Sequence, residues 1–125
     1  VLGDELGIYL DELAELAGYA GVKVLVRCGL HSQMAVRAAS LCYDFCFESL
    51  SWAVRENCST MLGYLEREDT ELAFKLLPAC SPENWHFSEE FQAAVAAVGG
   101  RITSKDLDET AGVWLTIPLG GEDRG

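Results

Sequence analysis

The chain has 125 residues, half of them hydrophobic, which suits one domain around a single core and excludes a wholly disordered chain. A net charge of −11 counts against nucleic acid, which is bound by neutralising phosphates with Lys and Arg, and against anionic membrane surfaces. Any polyanionic ligand would need a local positive site against this background.

The predicted elements follow in chain order. Asp4 to Tyr19 reads as a helix, because Leu6, Leu10, Leu13 and Ala17 recur at spacings of three and four. Gly18 and Gly21 mark its end. Val22 to Cys28 is valine-rich and partly alternating, so it reads as a strand, and Gly29 to Ser32 as a loop. A long helix is predicted from Gln33 to Glu56, with Val36, Ala39, Cys42, Tyr43, Cys46, Leu50, Ala53 and Val54 on one broad face. Ser32 is its expected N-cap and Asn57 its expected C-terminal stop.

Two strands follow, Cys58 to Glu66 and Glu71 to Leu77, with Arg67 to Thr70 as the turn of an antiparallel hairpin. Pro78 to Phe87 is irregular, broken by Pro78, Pro82 and Asn84. Ser88 caps a helix running to Val98, with Glu89 and Glu90 at its positive end and Gly99-Gly100 as its stop. The last strands are Arg101 to Lys105 and Gly112 to Leu119, linked by Asp106 to Ala111, and a tail begins at Gly120. The order α-β-α-β-β-α-β-β predicts a two-layer α/β sandwich of the α+β kind. Its sheet would be mixed, mostly antiparallel, with about five strands and three helices on one face. There is no internal repeat, low-complexity tract or interdomain linker, so residues 1–125 read as one domain. Because the chain starts at Val1 rather than Met, it is expected to be a C-terminal piece of a longer protein.

Several stretches carry a family resemblance. Asp11 to Val24 looks like the lead-in of bacterial sensor kinases, in which a helix ends just before an edge strand. Glu48-Ser49-Leu50-Ser51-Trp52-Ala53-Val54-Arg55-Glu56-Asn57 is similar to the N box, commonly E-A-L-T-N-A-x-[KR]-H-A. Ala94 to Gly100 resembles a helix ending in a Gly-Gly pair, and Val113 to Leu119 a closing strand with an apolar-Pro-apolar step. Together, in this order, they resemble the histidine kinase-like ATPase domain (GHKL or Bergerat fold), as in the C-terminal ATP-binding domain of a bacterial sensor histidine kinase.

That resemblance implies an ATP site with three requirements. An N-box asparagine coordinates Mg²⁺, a hard cation that needs oxygen ligands, and that position falls on Trp52, whose indole offers an N–H donor instead. An aspartate in D-x-G-x-G accepts a hydrogen bond from adenine. The matching segment, Leu77 to Trp85, has neither glycine nor aspartate, leaving Glu83 as the candidate carboxylate. A glycine-rich lid brings backbone N–H groups to the phosphates, whereas Trp85-His86-Phe87-Ser88-Glu89-Glu90 stands at that junction. Glu48 matches the family's candidate general base and Arg55 its basic position. Taken alone, they read as a capping or solvated acid and a surface charge.

The remaining cysteines, histidines and aromatics suggest other constellations. Cys42 and Cys46 share a helix face and with His31 suggest metal ligation, yet zinc sites ordinarily need four ligands in a tighter pattern, and buried cysteine is common core. The five cysteines, Cys28, Cys42, Cys46, Cys58 and Cys80, have no regular spacing and read as free thiols of a reducing compartment. His31 and His86 are followed by Ser32 and Phe87 rather than an acid, unlike a phosphoacceptor motif. No Cys-His nucleophile pair is evident. Trp52, Trp85 and Phe87 could fill the volume that adenine would take. No apolar run approaches the ~20 residues that span a bilayer, and there is no signal-peptide pattern, so a cytoplasmic setting is expected unless upstream sequence anchors the protein.

The resulting expectation is a degenerate sensor-kinase ATP-binding domain. It would be a regulatory or interaction module in bacterial two-component-like signalling, binding a protein partner but no ATP, other cofactor or metal. A homodimer would form through upstream sequence. The alternative is an active kinase domain that binds ATP and Mg²⁺ and phosphorylates an upstream histidine. A third reading is an unrelated α/β domain for a small apolar ligand.

Overall fold

The computed structural model describes residues 3–81, 85–107 and 110–119, with the backbone alone at 106, 107 and 110. Among them the chain forms α1 (Gly3–Tyr19), β1 (Lys23–Cys28), α2 (Val36–Arg55), β2 (Thr60–Glu68), β3 (Glu71–Pro78), α3 (Glu89–Ala97), β4 (Arg101–Leu107) and β5 (Thr110–Pro118). This is the predicted order of elements. The strands make one sheet in the order β1-β2-β3-β5-β4. Only β1 runs parallel to its neighbour, with Lys23 opposite Thr60, while the other three pairings are antiparallel. The parallel step needs a crossover, and α2 supplies it.

The core lies between the helices and one face of the sheet. Alternation along the strands turns Met61, Leu65, Phe74, Leu76, Val113 and Leu115 inward, where each is nearly or wholly buried. From the helices come Leu6, Leu10 and Leu13 of α1 and Cys42, Phe45, Cys46 and Trp52 of α2. The opposite face carries charge pairs: Lys75 holds Glu66 and Glu68 at 3.3 and 2.8 Å, and Arg101 reaches Glu71 at 3.1 Å. An antiparallel sheet can leave one face in water in this way.

All three helices end in the same closing motif, and this explains where the predicted boundaries shift. The residue past the helix takes a left-handed conformation: Gly21 (φ 96°), Asn57 (φ 55°) and Gly99 (φ 75°). The next residue then bonds back five positions, Val22 to Ala17, Cys58 to Ala53 and Gly100 to Val95, each at 2.9 Å. Val22 and Cys58 are thus occupied in ending helices, so β1 starts at Lys23 and β2 at Thr60 rather than at the predicted Val22 and Cys58.

Four further predictions are corrected. Ser32 does not cap α2: its carbonyl accepts the Gly3 N–H at 2.9 Å, which ties that loop to α1. The helix starts at Val36, three residues later than predicted, after Ala35, whose side chain makes no cap. The β2–β3 turn is tighter than Arg67 to Thr70, because Glu68 pairs with Glu71 and Asp69 takes φ 55°. The predicted link Asp106 to Ala111 is largely strand, with Leu107 opposite Thr110. In the last two cases, ladder pairing with a neighbouring strand outweighs the polar composition of the ends.

Candidate functional site

Of the residues matched to the N box, Glu48 to Arg55 occupy the second half of α2, and Glu56 and Asn57 follow its end. Glu48 and Trp52 are one turn apart, and Trp52 faces inward at 1% exposure while Arg55 is exposed in the last turn. This division follows from helical spacing: Trp52 continues the inward face of Phe45, Ser49 and Ala53, and Arg55 falls on the far side. Glu83 lies outside the described residues.

Trp52 meets the chain that returns from β3. Trp85, 8% exposed, stacks on it with ring centres 4.6 Å apart and planes 10° from parallel. Trp85 continues to Phe87 at 6.2 Å, and Phe87 contacts Phe91 of α3 at 5.4 Å and Phe45 of α2 at 5.3 Å. Phe45 also meets Phe74 of β3 edge-on at 5.2 Å. Six aromatic rings therefore form one connected body joining α2, the segment before α3, α3 itself and β3. Offset and edge-to-face contacts of this kind add about 0.5–1.5 kcal/mol per pair beyond the area they bury. The indole N–H of Trp85 and the hydroxyl of Ser49 are buried without a hydrogen-bond partner among the described residues.

Glu48 is half-buried and is engaged by the same segment. Ser88 donates its backbone N–H to Glu48 Oε1 at 2.8 Å and its hydroxyl to Oε2 at 2.9 Å. The Ser88 oxygen in turn accepts the Phe91 N–H at 3.1 Å, capping α3. The carboxylate thus lies at the positive end of α3 and satisfies donors around it. One turn earlier on α2, partial burial raises the pKa of Asp44, and the neighbouring charge of Glu48 adds to that.

The remaining sequence candidates are dispersed. Cys42 and Cys46 are fully buried in the core, and burial pushes both thiols up, Cys46 to about 12. His31 is exposed and lies 2.6 Å from Asp4. His86 is exposed just before Phe87. Among the described residues no group of three or more His, Cys, Asp or Glu could hold a metal ion, and no helix is long and apolar enough to cross a membrane.

Trp52, Trp85 and Phe87 are the fillers expected from the sequence, and Phe45, Phe74 and Phe91 join them in the structure. The spacing of Phe45 and Trp52, two turns apart on α2, and of Phe87 and Phe91 was a usable signal. Nothing local linked Glu48 to Ser88, which are 40 residues apart.

No protein-family model matches the chain, and no curated protein matches it in sequence. Solved structures do. The Erythrobacter litoralis EL346 blue-light activated histidine kinase matches with a TM-score of 0.70 over 99% of this chain and 43% of its own, at 15% identity. A structure of the histidine kinase domain from that protein gives 0.65 over 98% and 63%, at 16% identity. The Acinetobacter baumannii histidine kinase AdeS gives 0.63 over 95% and 66%, at 10% identity. The chain therefore spans 43% to 66% of the length of these proteins. At such identities the likeness is one of fold. It bears out the resemblance read from the sequence: this chain has a histidine kinase-type fold of three helices on a five-stranded mixed sheet.

Proposed function

We infer that the chain is a sensor-kinase-type domain whose nucleotide site has become aromatic core, and that it serves as a regulatory or interaction module without binding ATP. The observation that carries this reading is the stack of Trp52 on Trp85, two indoles 4.6 Å apart. By resemblance, Trp52 stands where the family holds its metal-binding asparagine, and Trp85 stands where the nucleotide lid would join its helix.

The donor set does not suit Mg²⁺-ATP. Magnesium needs several oxygen ligands in near-octahedral array, and the Trp52 side chain has no oxygen. Both oxygens of Glu48, the matched general base, already accept from Ser88. Freeing them would leave the Ser88 N–H and hydroxyl without their acceptor at the start of α3, and opening a nucleotide cavity would mean dismantling the aromatic body. The work of the domain is then contact with a protein partner in a signalling pathway, in a cytoplasmic bacterial setting.

Calorimetric titration with ATP and with ADP, each with Mg²⁺, tests the reading. The expected result is no binding isotherm. A dissociation constant in the micromolar range, about −8 kcal/mol, would overturn it.

A further inference from the structure

α1 and α2 each carry more apolar surface than the core covers, and the surplus lies between them. Beside its core face, α2 carries a second row, Val36, Ser40, Tyr43, Phe47, Leu50 and Val54, spaced alternately four and three residues apart. On α1, Tyr9, Leu13, Leu16 and Ala20 follow the same rhythm. This 3.5-residue repeat is the spacing of a helix-packing seam. Yet Leu16 is 64% exposed, Val36 69% and Phe47 53%, so the seam has no covering element within the described chain.

Two cavities lie along it. One, about 410 Å³, is lined by the first halves of both helices, including Leu6, Tyr9, Val36 and Tyr43. The other, about 150 Å³, is lined by their second halves, including Leu13, Leu16, Phe47 and Val54. First halves face each other and so do second halves, so the two helices run side by side in one direction. Placed end to end, the two cavities make an interrupted groove from Val36 to Val54, about 27 Å at 1.5 Å per residue. Its walls are apolar at both ends.

Charge selects the occupant. α1 contains Asp4, Glu5, Asp11, Glu12 and Glu15 and has no Lys or Arg. Glu5 and Glu12 are exposed on the same side of α1 as Tyr9 and Leu16, one turn away from them, so the α1 rim of the groove is acidic. On α2 the exposed charges are mixed, with Arg37 and Arg55 against Asp44.

We propose that this groove docks an amphipathic helix of a partner protein, with an apolar seam entering between α1 and α2 and Lys or Arg along the flank facing α1. This is the helix-in-groove mode, with charge setting orientation and encounter rate. A second copy of the domain is disfavoured, because it offers the acidic α1 rim either another acidic α1 or the mixed charges of α2 rather than a basic flank. An anionic lipid surface is disfavoured for the same reason. The proposal rests on the interaction role inferred above and names its partner class. ATP binding in the calorimetric test would defeat that role as a replacement for catalysis and would leave the groove open to its own test.

That test uses two synthetic helical peptides with the same leucine seam, one flanked by Lys and the other by Glu, and fluorescence anisotropy against the full chain. The Lys peptide is expected to bind, the Glu peptide to bind at least about tenfold more weakly, and the difference to shrink in high salt. Phe47→Glu should abolish binding, with circular dichroism showing that the fold is kept. The charge-reversed double variant Glu5→Lys/Glu12→Lys should invert the preference between the peptides. Failure of both peptides to bind, equal binding of both, or a concentration-dependent dimer that Phe47→Glu disperses would each overturn the proposal.

Discussion

The carboxylate of Glu48 and the Ser88 main chain and hydroxyl form a two-point clamp, at 2.8 and 2.9 Å, between the middle of α2 and the start of α3. By resemblance Glu48 is the position of a catalytic base, but here it completes a relay in which Ser88 also accepts the Phe91 N–H. Hydrogen bonds to a charged acceptor contribute about 1.5–3 kcal/mol, and partial exposure puts this pair at the low end. Glu48→Ala and Ser88→Ala are each expected to lower stability by about 1–2 kcal/mol in urea unfolding. The double variant should lose clearly less than the sum, because the two side chains act together. Strict additivity would show the clamp to be unimportant.

The aromatic body predicts the outcome of placing asparagine, the residue of the N box that this stretch resembles, at position 52. Trp52→Asn removes a buried indole and leaves an amide facing Trp85 and the core. Loss of about 3–5 kcal/mol is expected from the cavity alone, read from the urea midpoint. On the reading proposed above, the variant is not expected to bind nucleotide, since the segment around Trp85 and the clamp on Glu48 are unchanged. A variant as stable as the parent would contradict the burial of Trp52.

Two glycines on different sheet faces should respond differently to alanine. At Gly63 a new Cβ would lie 2.9 Å from the Leu76 Cδ2 and 3.2 Å from Val26 Cγ2, both tips of side chains that can shift. At Gly112 it would lie 2.5 Å from the Trp114 ring and 2.8 Å from the Leu76 carbonyl oxygen, which is backbone held in the β3–β5 ladder. Gly112→Ala is therefore expected to cost about 2–3 kcal/mol and Gly63→Ala about 1 kcal/mol, by thermal or urea unfolding. The reverse ranking would contradict this packing.

Asn57 closes α2 with φ 55°, a conformation that glycine adopts without a steric penalty. Asn57→Gly is expected to keep or slightly raise the melting temperature. Asn57→Ala should lower stability by about 1 kcal/mol, because a Cβ disfavours the left-handed region and alanine lacks the local hydrogen bonding of asparagine.

Asp44 gives a pH signature. Its pKa is raised in the folded chain, first by partial burial and then by the charge of Glu48. A carboxyl with a raised folded pKa favours the native state when protonated, so its stabilising effect is present below its unfolded pKa and is lost as pH rises through the folded value. Asp44→Asn is thus expected to raise the melting temperature at pH 7 and to have little effect near pH 3. An equal effect at both values would mean that the charge is not the cause.

Much of the fold was legible because it rests on local periodicity. The leucines of α1 spaced by three and four, the alternation of β2 and β3 and the glycine stops gave the element order with boundaries off by one to three residues. The errors came where partners distant in sequence decide. Ser32 looked like an N-cap, but its carbonyl is held by Gly3. Asp106 to Ala111 looked polar enough for a loop, but ladder pairing makes most of it strand.

At the candidate site, residue identity was legible in the chain: an indole without an oxygen at Trp52, no glycine or aspartate in Leu77 to Trp85, and aromatics before α3. The sequence by itself is enough for that, because a ligand set depends first on which atoms are present. Where those residues go depends on contacts between distant segments. The stacking of Trp52 on Trp85 and the pairing of Glu48 with Ser88 join segments 33 and 40 residues apart, and such contacts depend on how α2 packs over the sheet and how the chain returns from β3. The groove between α1 and α2 is of the same kind, since each helix shows its surplus apolar row in sequence, but only their side-by-side packing turns two rows into one surface.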